Sequence, residues 1–393
     1  ASGNLSSATT YSTAGRLTDQ AGTGWRNSAL KGTWRPDGIK GAHIVDFGYQ
    51  HDQYTLKTIT HNTAIDWETA APSTLSSRAG GETHMQSLYL QDAWKFAPRW
   101  KAVLGLRAED WQAKGGYVAT NLNNTTAYAA RQETHFSPKA ALSHQLRPDW
   151  LLKASTGRSL RMPTVQEMYG STTLNNTTFL NDPNLRPERS WTSELTAEKD
   201  LGHAILRITA FFENTKDAIY SQTNTFTDGS PNKTFVQNIK RIESKGLELA
   251  YTGNDVFTKG LDLSGSVTYV DSRIKENDGR VSTPGDTINK YQPRVPTWRG
   301  NLLANYRWND KFSTSLGARY SGRQFGTLNN ADTNGFTYTG VSKFFVVDTR
   351  VLYKVDQNWT LAGGVDNLNN YKYWNFHMYP MRTFFGELRY SMR

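Results

Sequence analysis

The sequence TWRGNLLANYRWNDKFSTSLGARYSG, residues 297–322, contains the pattern that decides the fold. Apolar and polar side chains alternate on either side of a short turn at 309–310, as expected for two antiparallel strands joined in a hairpin. Trp298, Leu302 and Tyr306 fall on one face, and arginine and asparagine fall on the other. Each strand is about ten residues long, the length that a tilted strand needs to cross a bilayer. The stretch therefore predicts membrane-spanning strands with one face toward lipid and one toward water.

The composition of the whole chain favours the same class. The 393 residues include 45 Lys+Arg and 35 Asp+Glu, which gives a formal charge of +10, yet only 20% of residues are charged while 12% are aromatic. A soluble surface normally carries more charge, and a mean hydropathy of −0.64 is too polar for a bundle of membrane helices. The absence of cysteine excludes disulfides and thiolate metal sites. Lysine and arginine are scattered, so we expect no nucleic-acid partner.

The alternation recurs along the chain and predicts an all-β protein, a transmembrane antiparallel β-barrel. A soluble sandwich would also alternate, but strands long enough to cross a bilayer favour the barrel. About 15 strands are predicted, near residues 25–35, 41–54, 84–96, 100–112, 135–146, 150–158, 190–200, 203–214, 243–253, 261–270, 296–308, 311–323, 344–354, 358–368 and 382–392.

The connections between these strands alternate between short and long, which is the asymmetry of periplasmic turns and extracellular loops in an outer-membrane barrel. Short connections are predicted at 36–40, 97–99, 146–149, 201–202, 254–260, 309–310 and 355–357. Long connections are predicted at 55–83, 113–134, 159–189, 215–242, 271–294, 324–343 and 369–381.

The predicted strand number is odd, whereas bacterial single-chain barrels have even numbers. If the last strand ends in the periplasm, residues 1–24 form part of an extracellular loop, and residues 25–393 form transmembrane strands and loops. We therefore expect the chain to be the C-terminal portion of a longer polypeptide, the alternative being one missed or split strand. Residues 1–20 show no signal peptide.

Four parts of the sequence resemble the TonB-dependent outer-membrane receptors. The matching segments are SPKAALSHQLRPDWLLKASTGRSLRMPTVQEMYG (137–170), NDPNLRPERSWTSEL (181–195), FVQNIKRIESKGLELAYTG (235–253), and GGVDNLNNYKYW (363–374) with PMRTFFGELRYSM (380–392). The residues that carry the family signature are Pro163, Glu167, Pro183, Leu185, Pro187, Glu188, Gly246, Glu248, Asn367 and Leu368. We interpret them as structural, because buried carboxylates need partners, and Arg158, Arg161 and Arg186 are candidates.

This resemblance implies a 22-stranded barrel closed by an N-terminal plug, of which this chain shows neither the plug nor a TonB box. It implies active import of a scarce metal chelate, energised through the TonB complex. A ferric siderophore is the expected chelate. It further implies a monomer surrounded by outer-membrane lipid and lipopolysaccharide, with no cofactor and no enzymatic activity. The family usually ends on an aromatic residue, whereas this chain ends on Arg393.

The long connections supply the candidate substrate-binding residues. Anionic or catechol-bearing chelates favour arginine beside aromatic rings. The candidates are Arg161, Tyr169, Arg323, Phe325, Phe336, Tyr338, Tyr373, Trp374, His377 and Tyr379, with Phe376 beside them. The alternative is that they pack loops together or form the aromatic girdle of the membrane interface, which is the interpretation we prefer for Trp100, Trp298, Trp308 and Trp359.

Other functions remain as alternatives. A passive or substrate-specific porin needs neither plug nor energy, and a soluble β-rich binding protein would share the alternation. Thioether and imidazole ligands at His377, Met378 and Met381 would suit copper. The sequence contains no nucleophile elbow or phosphate loop in the right context for an enzyme.

Overall fold

The computed structural model describes residues 15–63, 71–121, 124–174, 177–224, 232–279 and 286–392. Residues 1–14 of the predicted extracellular segment 1–24, and the terminal Arg393, lie outside these ranges. The strands are β1 (Gly15–Asp19), β2 (Gly24–Trp34), β3 (His43–Thr63), β4 (Leu75–Ala97), β5 (Trp100–Asn121), β6 (Asn124–Ala127), β7 (Arg131–Arg147), β8 (Trp150–Arg161), β9 (Ser171–Leu174), β10 (Thr177–Leu180), β11 (Glu188–Asp200), β12 (Ala204–Asn224), β13 (Asn232–Gly253), β14 (Leu261–Glu276), β15 (Trp298–Arg307), β16 (Phe312–Ser321), β17 (Phe344–Lys354), β18 (Trp359–Asp366), β19 (Trp374–Asn375), β20 (His377–Met378) and β21 (Thr383–Tyr390). The helix α1 spans Val165–Tyr169.

One antiparallel path contains the fifteen strands that the sequence predicts. Its order is β2, β3, β4, β5, β7, β8, β11, β12, β13, β14, β15, β16, β17, β18 and β21. β1 pairs with the far end of β3, β6 pairs with β5, and β10 joins β13 in parallel. Among the described residues, β2 pairs only with β3 and β21 pairs only with β18, and no pairing joins β2 to β21.

The two faces of the sheet differ as the alternation predicts. On one face, large apolar side chains are exposed, for example Leu302 at 52% and Leu316 at 50%. Arginine and carboxylate side chains occupy the other face, where Arg319 and Asp348 pair at 3.0 Å. Apolar surface of this extent marks contact with a membrane or a partner, which agrees with the sequence-based expectation that this face lies against lipid.

The two ends of the strands are unlike. Short turns close one end, which we call the short-turn end, and long connections occupy the other, which we call the long-loop end. Strands β3, β4 and β5 have 21, 23 and 22 residues, whereas β15 and β16 have 10 each and β18 has 8. Strands β12 and β13 are long as well, at 21 and 22 residues. The sheet thus has a tall side, formed by β3–β5 and β12–β13, and a low side, formed by β15–β18 and β21.

The predicted bounds of three long connections were wrong for this reason. Much of 55–83, 113–134 and 215–242 is strand, because β3–β5, β12 and β13 continue past the last lipid-facing residues. Alternation of apolar and polar residues marks only the part of a strand that lies against lipid. The backbone hydrogen bonds between neighbouring strands continue beyond that part, where the alternation no longer holds.

Helix α1 begins with a capping box. The Thr164 hydroxyl accepts a hydrogen bond from the Glu167 backbone N–H, and the Glu167 carboxylate accepts one from the Thr164 N–H at 2.8 Å, which satisfies two of the first amide groups. The helix has only five residues, and no helix in the described ranges is long and apolar enough to cross a membrane.

Candidate binding surface at the long-loop end

The connection after β8 folds back against the sheet and fills a packed cluster. We call this group the α1 cluster, which consists of Leu56, Trp111, Ala113, Val165, Met168, Tyr169, Leu185, Ile219 and Val236. Tyr169 is 0% exposed, and a Cβ on Gly81 would come within 2.7 Å of its ring, with one on Gly116 closer still. Because glycine has no side chain, Gly81 and Gly116 leave room for the Tyr169 ring between the strands. Burial raises the pKa of Tyr169.

Arg161 is bound within the same connection. Its two Nη atoms donate to the Glu167 carboxylate at 3.0 and 2.8 Å in a bidentate pair, the strongest geometry for this contact. Burial alone raises the pKa of Glu167, but the hydrogen bonds from Arg161 and Thr164 outweigh it, so the pKa lies below its ordinary value. Arg161 Nε also lies 3.9 Å from Glu188. The guanidinium therefore holds the loop to the sheet.

The signature around residue 185 serves the same packing. Arg131 donates to the backbone oxygens of Pro183 at 2.6 Å and Leu185 at 3.0 Å, while the Leu185 side chain is buried in the α1 cluster. Pro163 and Pro187 are buried too. The Glu188 carboxylate accepts the Ile219 backbone N–H at 3.0 Å. These contacts are of the kind that a structural motif makes. Of the three arginines predicted as carboxylate partners, only Arg161 lies beside signature carboxylates, whereas Arg186 pairs with Asp217 and Arg158 forms no ion pair among the described residues.

The remaining signature residues hold strand geometry. A Cβ at Gly246 would collide with the Tyr269 backbone oxygen and the Phe211 ring. Glu248 accepts a hydrogen bond from the Thr268 hydroxyl at 3.1 Å. Asn367 adopts a positive φ of 54°.

Asn367 closes the connection that begins there. Its side chain accepts the Tyr371 N–H at 2.7 Å and donates to the Tyr371 backbone oxygen at 2.9 Å. The Leu368 backbone oxygen accepts from Arg382 at 3.0 Å. Both residues therefore fix the first turn of the loop that leads to β19.

Two other long connections, 322–343 and 367–382, pair with each other. The Ser342 N–H donates to the Trp374 oxygen at 2.9 Å, and the Phe376 N–H donates to the Gly340 oxygen at 3.0 Å. A β-bridge joins Val341 to Asn375. The two loops therefore form one hydrogen-bonded unit above the low side of the sheet.

Aromatic rings from three connections meet on this unit, and we call them the aromatic loop cluster. Its members are Tyr291, Phe325, Phe336, Tyr338, Tyr371, Tyr373, Trp374, Phe376, His377 and Tyr379. Phe336 meets Trp374 edge-on at 6.2 Å, and Tyr338 meets His377 at 5.2 Å. Tyr338 is 64% exposed, so the cluster presents rings to solvent.

Arginines flank these rings. The Arg273 guanidinium lies 4.2 Å from the Tyr291 ring, which stacks on Phe325 at 6.1 Å, and the Arg323 guanidinium lies 4.5 Å from Phe325. The four side chains form a cation–ring–ring–cation stack. Arg294 extends it, at 5.9 Å from the Phe376 ring.

The sequence missed Arg273, Tyr291 and Arg294. Their connection was predicted as a long loop, but no motif distinguished these three side chains from others. Contacts between segments that are distant in sequence bring them to the cluster, namely the stacking of Tyr291 on Phe325 and the hydrogen bond from the Arg294 N–H to the Phe325 oxygen at 2.8 Å.

The predicted substrate residues thus divide into two groups. Tyr169 is fully buried, where a ligand could not reach it. Arg161 keeps 43% of its side chain exposed, but both of its Nη atoms are held by Glu167. The other predicted residues come together in one region: Arg323, Phe325, Phe336, Tyr338, Tyr373, Trp374, His377 and Tyr379. Tyr373 is itself largely buried beneath Tyr379 and supports the surface from below.

A metal site is not supported by the described residues. They contain no group of three histidine or acidic side chains able to hold a metal ion. His377 contacts the Tyr338 ring, and Met378 pairs with Trp374 in the β19–β20 hairpin. The copper interpretation of His377, Met378 and Met381 remains a prediction that the geometry does not strengthen.

A protein-family model for the TonB dependent receptor-like beta-barrel matches residues 1–368 of this chain. The chain belongs to the TonB-dependent receptor family. Its sheet is therefore part of a transmembrane antiparallel β-barrel of the bacterial outer membrane, with the long-loop end outside the cell. The family consists of receptors and transporters, not enzymes.

Two relatives illustrate the likeness. The probable TonB-dependent siderophore receptor PiuA of Acinetobacter baumannii is 24% identical over 295 residues, which cover 73% of this chain and 37% of that protein. The iron-regulated outer membrane virulence protein of Vibrio cholerae is 23% identical over 340 residues, covering 84% and 45%. The chain spans less than half the length of these curated relatives.

Solved structures share the fold. The copper transporter OprC superposes with a TM-score of 0.71 at 18% identity, covering 96% of this chain and 57% of that one. The ferric citrate transporter FecA, in its unliganded form, gives a TM-score of 0.71 at 19% identity, covering 97% and 56%. At these identities the likeness concerns the barrel alone.

Proposed function

We propose that this chain is the C-terminal barrel portion of a receptor that imports a scarce metal chelate with energy passed through TonB. The chelate that we propose first is a ferric siderophore. The observation that carries the proposal is the aromatic loop cluster with its flanking arginines at the extracellular end. Guanidinium groups bind anionic oxygens, and flat rings stack on catechols or other planar groups. This combination suits an anionic ferric chelate.

The unpaired edges of the sheet support the proposal that this chain is one portion of a larger barrel. Strands β2 and β21 leave backbone hydrogen-bonding groups on their outer edges, and such edges must be paired inside a bilayer. The functional barrel then includes further strands between β2 and β21, together with a plug that receives the pull of TonB.

The relatives support a metal chelate as the class of substrate. PiuA is named as a siderophore receptor and FecA as a ferric citrate transporter, while OprC is named as a copper transporter. The names of PiuA and FecA specify a siderophore and a ferric chelate, and the arginine-rich surface favours such chelates over a bare cation.

The test is a titration of the full-length receptor with ferric catecholate, hydroxamate and citrate chelates, cobalamin and free copper, followed by tryptophan fluorescence. We expect one ferric chelate to bind, and Arg323→Gln to weaken it about tenfold, since a hydrogen bond to a charged group contributes about 1.5–3 kcal/mol. Arg147→Gln, at the short-turn end, is the matched control and should leave affinity unchanged. Flat responses to every iron chelate would remove this substrate class.

A transport assay separates the importer from a porin. Uptake of the labelled chelate into cells should cease when TonB is deleted or the proton gradient is collapsed. Uptake that continues unchanged under both treatments would identify a passive channel instead, whichever chelate binds.

A further inference from the structure

A pocket on the lipid-facing side of the sheet carries three cations. Arg158, Arg189, Trp191, Asn214 and Lys216 line a cavity of about 200 Å³. Arg158, Trp191 and Asn214 lie in one row across β8, β11 and β12, and Arg189 and Lys216 lie opposite each other in the next row toward the long-loop end. Residues directly opposite each other share a face of a sheet. We call this group the outward cationic pocket.

The outward cationic pocket lies at the edge of the apolar face that is nearer the long-loop end. Leu195 is 62% exposed and Phe212 is 46% exposed, and each projects on the same face of its strand as Trp191 or Asn214, since side chains alternate with a period of two. Tryptophan favours the boundary between hydrocarbon and head groups. The pocket therefore lies where the head groups of the outer leaflet meet the barrel.

The cations in the pocket are only partly neutralised. Arg189 pairs with Asp217, which also binds Arg186 at 2.9 Å. Among the described residues, the side chains of Arg158 and Lys216 form no hydrogen bond or ion pair. The site thus holds two uncompensated positive charges beside the lipid.

Two buried polar atoms in the same pocket have no protein partner in the described ranges. They are Arg189 Nε, a donor, and Asn214 Oδ1, an acceptor. A buried polar atom without a partner costs about 1–3 kcal/mol, so the pocket favours an occupant that provides both an acceptor and a donor. Phosphate oxygens accept from guanidinium groups in a bidentate manner, and a sugar hydroxyl or amide next to the phosphate would donate to Asn214.

We infer that the outward cationic pocket binds the phosphorylated sugar head group of an outer-leaflet glycolipid. The phosphate lies among Arg158, Arg189 and Lys216, the sugar lies against Trp191, and the acyl chains run down the apolar face past Phe212. A membrane lipid fits better than a free phosphate ion, because the pocket opens directly above exposed apolar side chains. The inference does not depend on which chelate the receptor imports.

Native mass spectrometry of the detergent-purified full-length receptor tests the site. The probes are lipopolysaccharide, the same preparation after removal of its phosphates, and inorganic phosphate. We expect Arg158→Gln combined with Lys216→Gln to weaken lipopolysaccharide binding at least tenfold in 0.15 M salt. Lys259→Gln with Lys311→Gln removes the same charge at the short-turn end and should change it less than twofold.

The outcomes decide between the occupants. Unchanged binding in the Arg158–Lys216 variant would overturn the inference, as would equal binding of the dephosphorylated glycolipid. Displacement of the glycolipid by millimolar inorganic phosphate would make the site a general anion site and overturn the lipid assignment. If the double variant fails to fold, Lys216→Gln alone and a titration with salt measure the same charge dependence, which should weaken binding as salt rises.

Discussion

Arg161 and Tyr169, in the connection after β8, differ from Arg323 and Tyr338, in the connection after β16, mainly in what surrounds them. Arg161 gives both Nη atoms to Glu167, and Tyr169 is fully buried. Arg323 lies over an aromatic ring, and Tyr338 is mostly exposed. The same residue types therefore stabilise the loop in one connection and stay accessible in the other. What separates the two arginines is how strongly protein partners hold the side chain, because Arg161 makes two short hydrogen bonds to a carboxylate whereas Arg323 makes one long bond of 3.5 Å to the Thr333 oxygen.

The largest effect that would test this comparison is the loss of Tyr169. Tyr169→Ala should lower the free energy of unfolding by about 3–5 kcal/mol, as for other buried aromatic residues, because the space between Gly81 and Gly116 is left empty. Urea unfolding of the full-length receptor in detergent measures it. Tyr338→Ala is the matched variant and should change stability by less than about 0.5 kcal/mol; equal losses would break the comparison.

A finer control uses the Tyr169 hydroxyl, which is buried without a protein partner in the described ranges. Tyr169→Phe should leave stability unchanged or raise it, because an unpaired polar atom is removed while the ring remains. A loss as large as that of Tyr169→Ala would mean that the hydroxyl, not the ring, holds the loop.

The next effect in size concerns the Arg161–Glu167 pair. Glu167→Gln should cost about 1–2 kcal/mol, since the pair is charge-assisted but partly exposed to solvent. A double-mutant cycle with Arg161→Gln measures the coupling by urea unfolding. A coupling near zero would mean that Arg161 is free for another partner, and would return it to the candidate substrate residues.

The stability of the connection that contains α1 should depend on pH, and this effect should be smaller than that of the Glu167→Gln substitution. The pKa of Glu167 is lowered in the folded state, so its contribution is complete above the unfolded value of about 4.3 and is lost as pH falls through the lower folded value. The protection factors for amide hydrogen exchange at Val165–Tyr169, which are corrected for the intrinsic pH dependence of exchange, should therefore fall below about pH 4. In Glu167→Gln the exchange should not show this dependence.

The smallest effect concerns the ring stack on the accessible side. Phe325→Leu removes a flat ring on which a catecholate would stack, and because an aromatic pair is worth about 0.5–1.5 kcal/mol, affinity for a catecholate ferric chelate should fall a few-fold. The lost stacking on Tyr291 should lower the free energy of unfolding by no more than about 1.5 kcal/mol. Isothermal titration and urea unfolding of the same sample separate the two. A loss of stability without a loss of affinity would show that Phe325 only packs the loop.

The sequence predicted the strands well where lipid enforces the pattern. All fifteen strands of the main path follow from alternation, because each must show apolar side chains to the bilayer. The pattern weakens where β12 and β13 rise past Phe212, since residues there face water on one side and packed loops on the other. Their length could not be predicted from alternation.

The candidate site was predictable in composition but not in assembly. Arginine with aromatic residues in the long connections indicated Arg323, Phe325 and Tyr338, which the structure brings into one region; their contact with substrate stays a prediction. The same signal was misleading for Tyr169, because burial depends on Gly81 and Gly116, which are distant in sequence. Loop-to-loop hydrogen bonds such as that between Ser342 and Trp374 leave no local trace in the sequence.

The unequal height of the two sides has a consequence for the wall above the membrane. On the tall side, β12 continues from Phe212 to Asn224, which at about 3.3 Å per residue and a tilt near 40° raises the wall roughly 30 Å above the lipid. On the low side, β15 and β16 hardly exceed the membrane. Among the described strands, the wall above the membrane is therefore high at β12 and β13 and low at β15–β18 and β21, the side that carries the aromatic loop cluster.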